Sequence, residues 1–191
     1  MKKHIATILF VVIFGLSGCT DFAVSDTESG WDSFEAKNYP QALSYFQSAL
    51  DWDMTFADAY NGLGWTYMKL DSMNKAIEAF ENGLSNTDSL LDLYAGLAIS
   101  TSAKHNYSKV VDNIFFVLNK DAQYVFSHDT KINYKLLHAI LAREYVYAEE
   151  YDKALSEIQT IDSSFTASPN TQEGKEKITE WLEKYLKNYG V

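Results

Sequence analysis

The sequence predicts an all-α chain: about four stacked helical hairpins closed by a C-terminal helix. Three observations carry that prediction. Residues of like size recur every 34 positions, three times without a gap. Each copy holds two apolar stripes at helical spacing, separated by a short polar turn. The last segment has one apolar stripe on an otherwise charged helix, which is what the open end of a stacked array needs.

Composition sets the bounds. The chain has 191 residues, 47% of them apolar and 22% charged, enough for one domain or at most two. That apolar content can offset chain entropy, so disorder throughout is excluded. A net charge of −10 repels phosphate backbones and argues against a nucleic-acid partner. The single cysteine allows neither an internal disulfide nor a cysteine-based zinc site.

Residues 1–18 are expected to be an address label. Met1-Lys2-Lys3 is basic, and Ile5 to Leu16 is an apolar run of about 12 residues. A membrane crossing needs roughly 20, so the run predicts a signal-peptide core and not a span. It ends in Leu16-Ser17-Gly18-Cys19, which resembles the lipobox of bacterial lipoproteins. The resemblance implies cleavage before Cys19, acylation of its thiol (palmitate included) and firm membrane attachment, since two or more acyl chains suffice. Thr20, where the sorting rule of enteric-type lipoproteins would place Asp for retention, implies the outer membrane, facing the periplasm. Residues 19–25 are then expected to form a tether, and Ser25-x-x-Glu28 a capping box opening the first helix.

Four repeats are expected over residues 26–168. Gly30/Gly64, Trp31/Trp65, Ala42/Ala76, Phe46/Phe80 and Leu50/Leu84 are each 34 apart. A further step of 34 takes Tyr60, Leu63 and Gly64 to Tyr94, Leu97 and Ala98, and Ala76, Phe80 and Leu84 to Val110, Ile114 and Leu118. The repeats fall near 23–56, 57–90, 91–124 and 135–168. The fourth, with Leu141, Ala142, Tyr145, Ala154 and Ile158, is displaced by an insert at 121–131. Small Gly64 and Ala76 let two antiparallel helices approach, and bulky Tyr67 and Phe80 fill the wedge beyond.

The clearest copy, Tyr60-x-x-Leu63-Gly64-x-x-Tyr67 followed by Ala76-x-x-x-Phe80-x-x-Gly83-Leu84, resembles the tetratricopeptide repeat. That likeness implies a right-handed α-solenoid whose inward positions hold a peptide or protein. Beyond Pro169, residues 170–189 are expected to cap the array. Asn170 with Glu173 starts a helix whose Ile178, Trp181, Leu182, Tyr185 and Tyr189 lie on one stripe, with Glu173/Lys177, Glu180/Lys184 and Glu183/Lys187 pairs on the wet side.

No enzyme is expected. His105, His128 and His138 share no metal-ligand spacing, Glu149-Glu150 falls in a turn, and neither a phosphate loop nor a nucleophile motif occurs. No cofactor or metal is therefore assigned. The expected work is partner binding. From the repeat register the inward side carries Trp31, Phe34 and Glu35, then Asp58, Asn61, Trp65, Met68 and Lys69. The third copy offers Asp92, Ile99 and Ser102, and the fourth Arg143, Val146 and Tyr147. Trp31 and Trp65, with Phe34 and Met68 a turn further on, would form an apolar strip of anchors, or else pack between helices. The insert, with Tyr124-Val125-Phe126, would either serve function or fold back over a neighbouring helix pair. A permanent subunit of an envelope assembly machine is the alternative to a peptide-binding scaffold, and an enzyme or small-ligand receptor the more distant one.

Overall fold

The computed structural model describes residues 20–102 and 107–189. Its helices are α1 over residues 20–35, α2 (Tyr39–Trp52), α3 (Ala57–Lys69), α4 (Met73–Leu84), α5 (Leu91–Ser102), α6 (Tyr107–Lys120), α7 (Tyr134–Tyr147), α8 (Tyr151–Ile161) and α9 (Gln172–Lys187). They pair in order as four hairpins with one helix left over. No strand occurs among the described residues, only an isolated antiparallel bridge between Val125 and Asn133. The chain divides into two compact units, with the boundary in the sequence between Leu93 and Tyr94, inside α5.

The first unit shows why a 34-residue period makes hairpins. Gly30 on α1 and Gly64 on α3 both face the phenyl ring of their own hairpin's second helix. A Cβ at Gly30 would lie 2.6 Å from Phe46, and one at Gly64 would lie 2.4 Å from Phe80. The following residue is in both cases tryptophan, whose indole closes edge-on over the same phenyl: Trp31–Phe46 at 5.0 Å and Trp65–Phe80 at 5.5 Å. Ala42, Ala49, Ala76 and Ala79 are buried on the facing helices. Glycine admits the ring and tryptophan covers it, a device set twice at the same spacing.

The turns within the hairpins repeat as well. Lys37 and Asp71, 34 apart, both take positive φ, 61° and 52°, and Glu149 in the last hairpin takes 61°. After each, the next residue's N–H closes back on the carbonyl five residues earlier: Asn38 to Ser33, Ser72 to Tyr67 and Glu150 to Tyr145. This is a Schellman-type helix end built without glycine.

In the second unit, α5 buries three consecutive hydroxyls. Ser100 and Thr101 donate to the Leu97 carbonyl and Ser102 to that of Ile99, so each is satisfied within its own helix. Val110, Ile114 and Val117 of α6 and Leu136, Leu137, Ile140 and Leu141 of α7 supply much of the core. α9 closes the unit with Ile178, Leu182 and Leu186 turned inward.

Three expectations need correction. Residues 20–25 are not an extended tether but the described start of α1, so Ser25 lies inside a helix and does not cap it. Ala23 explains the extension, because it packs in a core cluster with Ala49 and Ala59 and draws the helix toward Cys19. The cap of α9 is Thr171, not Asn170: its hydroxyl accepts from Gly174 N at 3.1 Å. The insert folds back. Tyr124 and Phe126 are buried, and Phe126 N–H donates to Ile132 O at 2.9 Å, leaving Val125 exposed. Cys19, the 1–18 leader and His105 lie outside the described residues.

Candidate functional site

The aromatic residues expected on the inward side of the first two repeats are core, together with Asn61. Trp31 Nε1 donates to Asp58 Oδ2 at 3.0 Å, and Asn61 Nδ2 donates to Asp58 Oδ1 at 3.1 Å. A carboxylate on α3 therefore ties α1 to α3 through the indole. Trp31, Phe34, Asn61, Trp65 and Ile99 are all buried, Trp65 to 1% exposure. The apolar strip of tryptophans is thus an interior feature. The reason is volume: with glycine beside each indole, the phenyl ring of the next helix comes close enough to bury it. Ser102 is buried too, whereas Met68 and Asp92 are half-buried and Glu35 and Lys69 exposed.

The fourth repeat behaves differently. Arg143, Val146 and Tyr147, on the last turn of α7, face α9 across a cleft of about 490 Å³. The opposite wall is Thr179, Leu182, Glu183, Leu186 and Lys187. The floor is apolar, from Val146, Leu182 and Leu186, and Tyr147 is 56% exposed at its edge. Such a concave apolar surface with a few polar groups is the usual form of a binding site.

Electrostatics give the cleft a direction. Arg143 has 16% of its side chain exposed, and Glu144 Oε1 stands 3.7 Å from its Nε, beyond hydrogen-bond reach. Its Nε and Nη2 are buried and lack a hydrogen-bond partner among the described residues. The guanidinium is ion-paired at that distance with the buried Glu144 carboxylate, while its planar form also suits a second carboxylate at the cleft wall. Lys187 adds a second cation and Glu183 an anion to the lining, and the buried Glu144 carboxylate balances Arg143 from behind. The sequence register found Arg143, Val146 and Tyr147. It missed the α9 wall, because residues needed for capping gave no sign of also lining a surface.

Other ionisable groups are structural. His138 Nδ1 meets Glu157 Oε2 at 2.6 Å, pinning α7 to α8. Burial, then the charges of Glu157 and its neighbours, push the Tyr145 hydroxyl above the usual phenol range. Among the described residues no three His, Cys, Asp or Glu side chains gather as metal ligands would. No described helix is long and apolar enough to cross a membrane.

Residues 33–97 match a family model described as tetratricopeptide repeat. Solved structures share the fold across more of the chain. A crystal structure of MamA protein superposes with a TM-score of 0.64 at 17% identity, covering 87% of this chain and 89% of that one. YrrB, a TPR protein with an unusual peptide-binding site, gives 0.53 at 17% identity over 74% of this chain and 87% of its own. A chain of the Cut9–Hcn1 complex gives 0.61 at 19% identity, with 86% of this chain covered and 30% of that one. No curated protein sequence matches. At these identities the likeness establishes the fold, which is all-α and of the tetratricopeptide type.

Proposed function

We propose that this protein is a membrane-anchored scaffold that binds a protein segment in the cleft between α7 and α9. The tetratricopeptide fold supports an interaction role, and YrrB offers a precedent for peptide binding on that fold. The single observation that carries the reading is Arg143. It is a planar cation, 16% exposed, at the wall of an apolar-floored cleft open to solvent. The matching partner is a segment that brings apolar side chains together with a carboxylate. A charge-assisted pair at the cleft wall sets orientation, and the apolar contacts supply most of the affinity. The preformed walls are helices, so little ordering entropy is lost on binding.

Anchoring belongs to the same proposal. The Leu16-Ser17-Gly18-Cys19 pattern supports lipid attachment at Cys19, and Thr20 supports an outer-membrane address facing the periplasm.

The test is site-specific photocrosslinking in intact bacteria. A crosslinker replacing Tyr147 should capture one defined partner, and Arg143→Glu should abolish the capture; because that change also sets a second carboxylate beside buried Glu144, Lys187→Gln, which keeps the Arg143–Glu144 pair, should weaken the capture at an unchanged melting temperature. A crosslinker at exposed Glu78 on α4 serves as the control. Equal capture from both positions, or capture indifferent to Arg143→Glu, rules the cleft out. Metabolic labelling with palmitate, lost in Cys19→Ser, checks the anchor separately.

A further inference from the structure

One end of the first hairpin is unlike the rest of the described surface. Phe22, near the start of α1, is 56% exposed, Trp52, at the end of α2, is 46% exposed, and Met54, in the following turn, is 75% exposed. These are three large apolar side chains at one end of one hairpin. Phe22 and Trp52 stack with ring centroids 4.8 Å apart. Val24 is also exposed on α1, while Leu70, Phe115, Val125 and Tyr147 lie on separate elements. Clustering of this kind marks a contact surface, where single exposed residues do not.

The indole is held and polar-tipped. Its Nε1 donates to Asp26 Oδ2 at 3.1 Å, and Ser48 Oγ donates to the same oxygen at 2.6 Å. An aromatic face that is open while its N–H is fixed to a wet carboxylate suits the boundary between water and hydrocarbon. Position in the chain names the occupant. Helix α1 is already formed at Thr20, the residue after Cys19, and Phe22 is three residues beyond Cys19. The two helical steps from Thr20 to Phe22 rise about 3 Å, and one peptide link of about 3.8 Å joins Thr20 to Cys19. Whatever holds Cys19 is therefore within side-chain reach of this end of the hairpin.

We propose that Phe22, Trp52 and Met54 rest in the interfacial layer of the bilayer that carries Cys19, and so fix how the first unit meets the membrane. The proposal builds on the lipid anchor proposed above. Asp21, Asp51 and Asp53 flank the aromatic pair in sequence, so the favoured surface is zwitterionic, and anionic headgroups weaken the contact.

The experiment uses the full chain, expressed in a bacterium, extracted from its membranes and reconstituted into phosphatidylcholine vesicles. Acyl chains brominated near the headgroup quench any indole lodged at that depth. Quenching is expected for the wild type, with loss of that component in Trp52→Phe, a reduction in Phe22→Ser/Met54→Ser, and a decrease when phosphatidylglycerol is added. Unchanged melting temperatures of the variants show that the fold is kept. An unquenched wild type overturns the contact. So does quenching that survives Trp52→Phe, or a blue-shifted but unquenched Trp52, which means that a second copy or another protein covers the patch. The mass of the purified chain reports lipid on Cys19 independently. If none is present, the anchor reading fails, and the chain is coupled through Cys19 to maleimide-bearing phosphatidylethanolamine. Quenching then sustains the contact, and its absence overturns it.

Discussion

Gly64 and Asp58 are two residues whose neighbours decide their meaning. Gly64 has no side chain because the Phe80 ring occupies the place: a Cβ would sit 2.4 Å from it. Gly64→Ala must push the ring out of a fully buried site and should cost about 1–3 kcal/mol. A drop in the urea midpoint with unchanged slope would show it, and an unshifted midpoint would mean that the ring can yield freely. Asp58 lies at an inward register position, where a partner could have met it. Instead it accepts from Trp31 and Asn61 of its own chain. Residue type and register located Trp31 and Asp58, but they could not say that the indole would reach the carboxylate first.

At the scale of the element, periodicity is legible and termini are not. All four hairpins and the last helix lie where the apolar stripes put them, because burying one face of a helix demands a 3.6-residue recurrence. The start of α1 was misplaced, since Ser25 carries a capping pattern but Ala23 gains more by packing against Ala49 and Ala59. The hairpin turns were legible only as short polar breaks, not in their backbone: Lys37, Asp71 and Glu149 occupy a left-handed conformation that usually draws glycine. Because a side chain is strained there by about 1–2 kcal/mol, with Asp among the better tolerated, Asp71→Gly should raise stability by up to about 1 kcal/mol. Calorimetry of the variant checks this. A lower melting temperature would show that the Asp71 side chain does something the turn geometry does not reveal.

For the molecule as a whole, protonation sets limits at both ends of the pH scale. Burial raises the hydroxyls of Tyr107 and Tyr145 above the ordinary phenol range. Tyr185 is raised by burial and then by its hydrogen bond with Tyr189. All three belong to the second unit. A raised folded value means that their contribution is complete below the unfolded value, about pH 10, and is lost as pH climbs toward the folded values. Alkaline unfolding should therefore strike the second unit, with ionisation of Tyr107, Tyr145 and Tyr185, followed one by one by tyrosine-labelled NMR, lagging until the helical signal falls. Asp162 works the other way. Ser164 Oγ and N–H both donate to its Oδ1 and lower it, so its contribution is lost only as acid takes pH below the ordinary Asp range. Ionisation of those three hydroxyls while the helices remain intact would contradict the alkaline half of this account.

The order of helices, their pairing and the capping end were determined by the sequence alone, because period and polarity are local properties that any packing must respect. The tertiary structure decided which faces survive as surface. It buried Trp31 and Trp65, since glycine beside each let a phenyl ring close in. It folded the insert over its own unit, and it opened the α7–α9 cleft, whose walls are 30 or more residues apart in sequence. Exposure is a property of neighbours brought from afar, and a recurring pattern in one chain does not contain it.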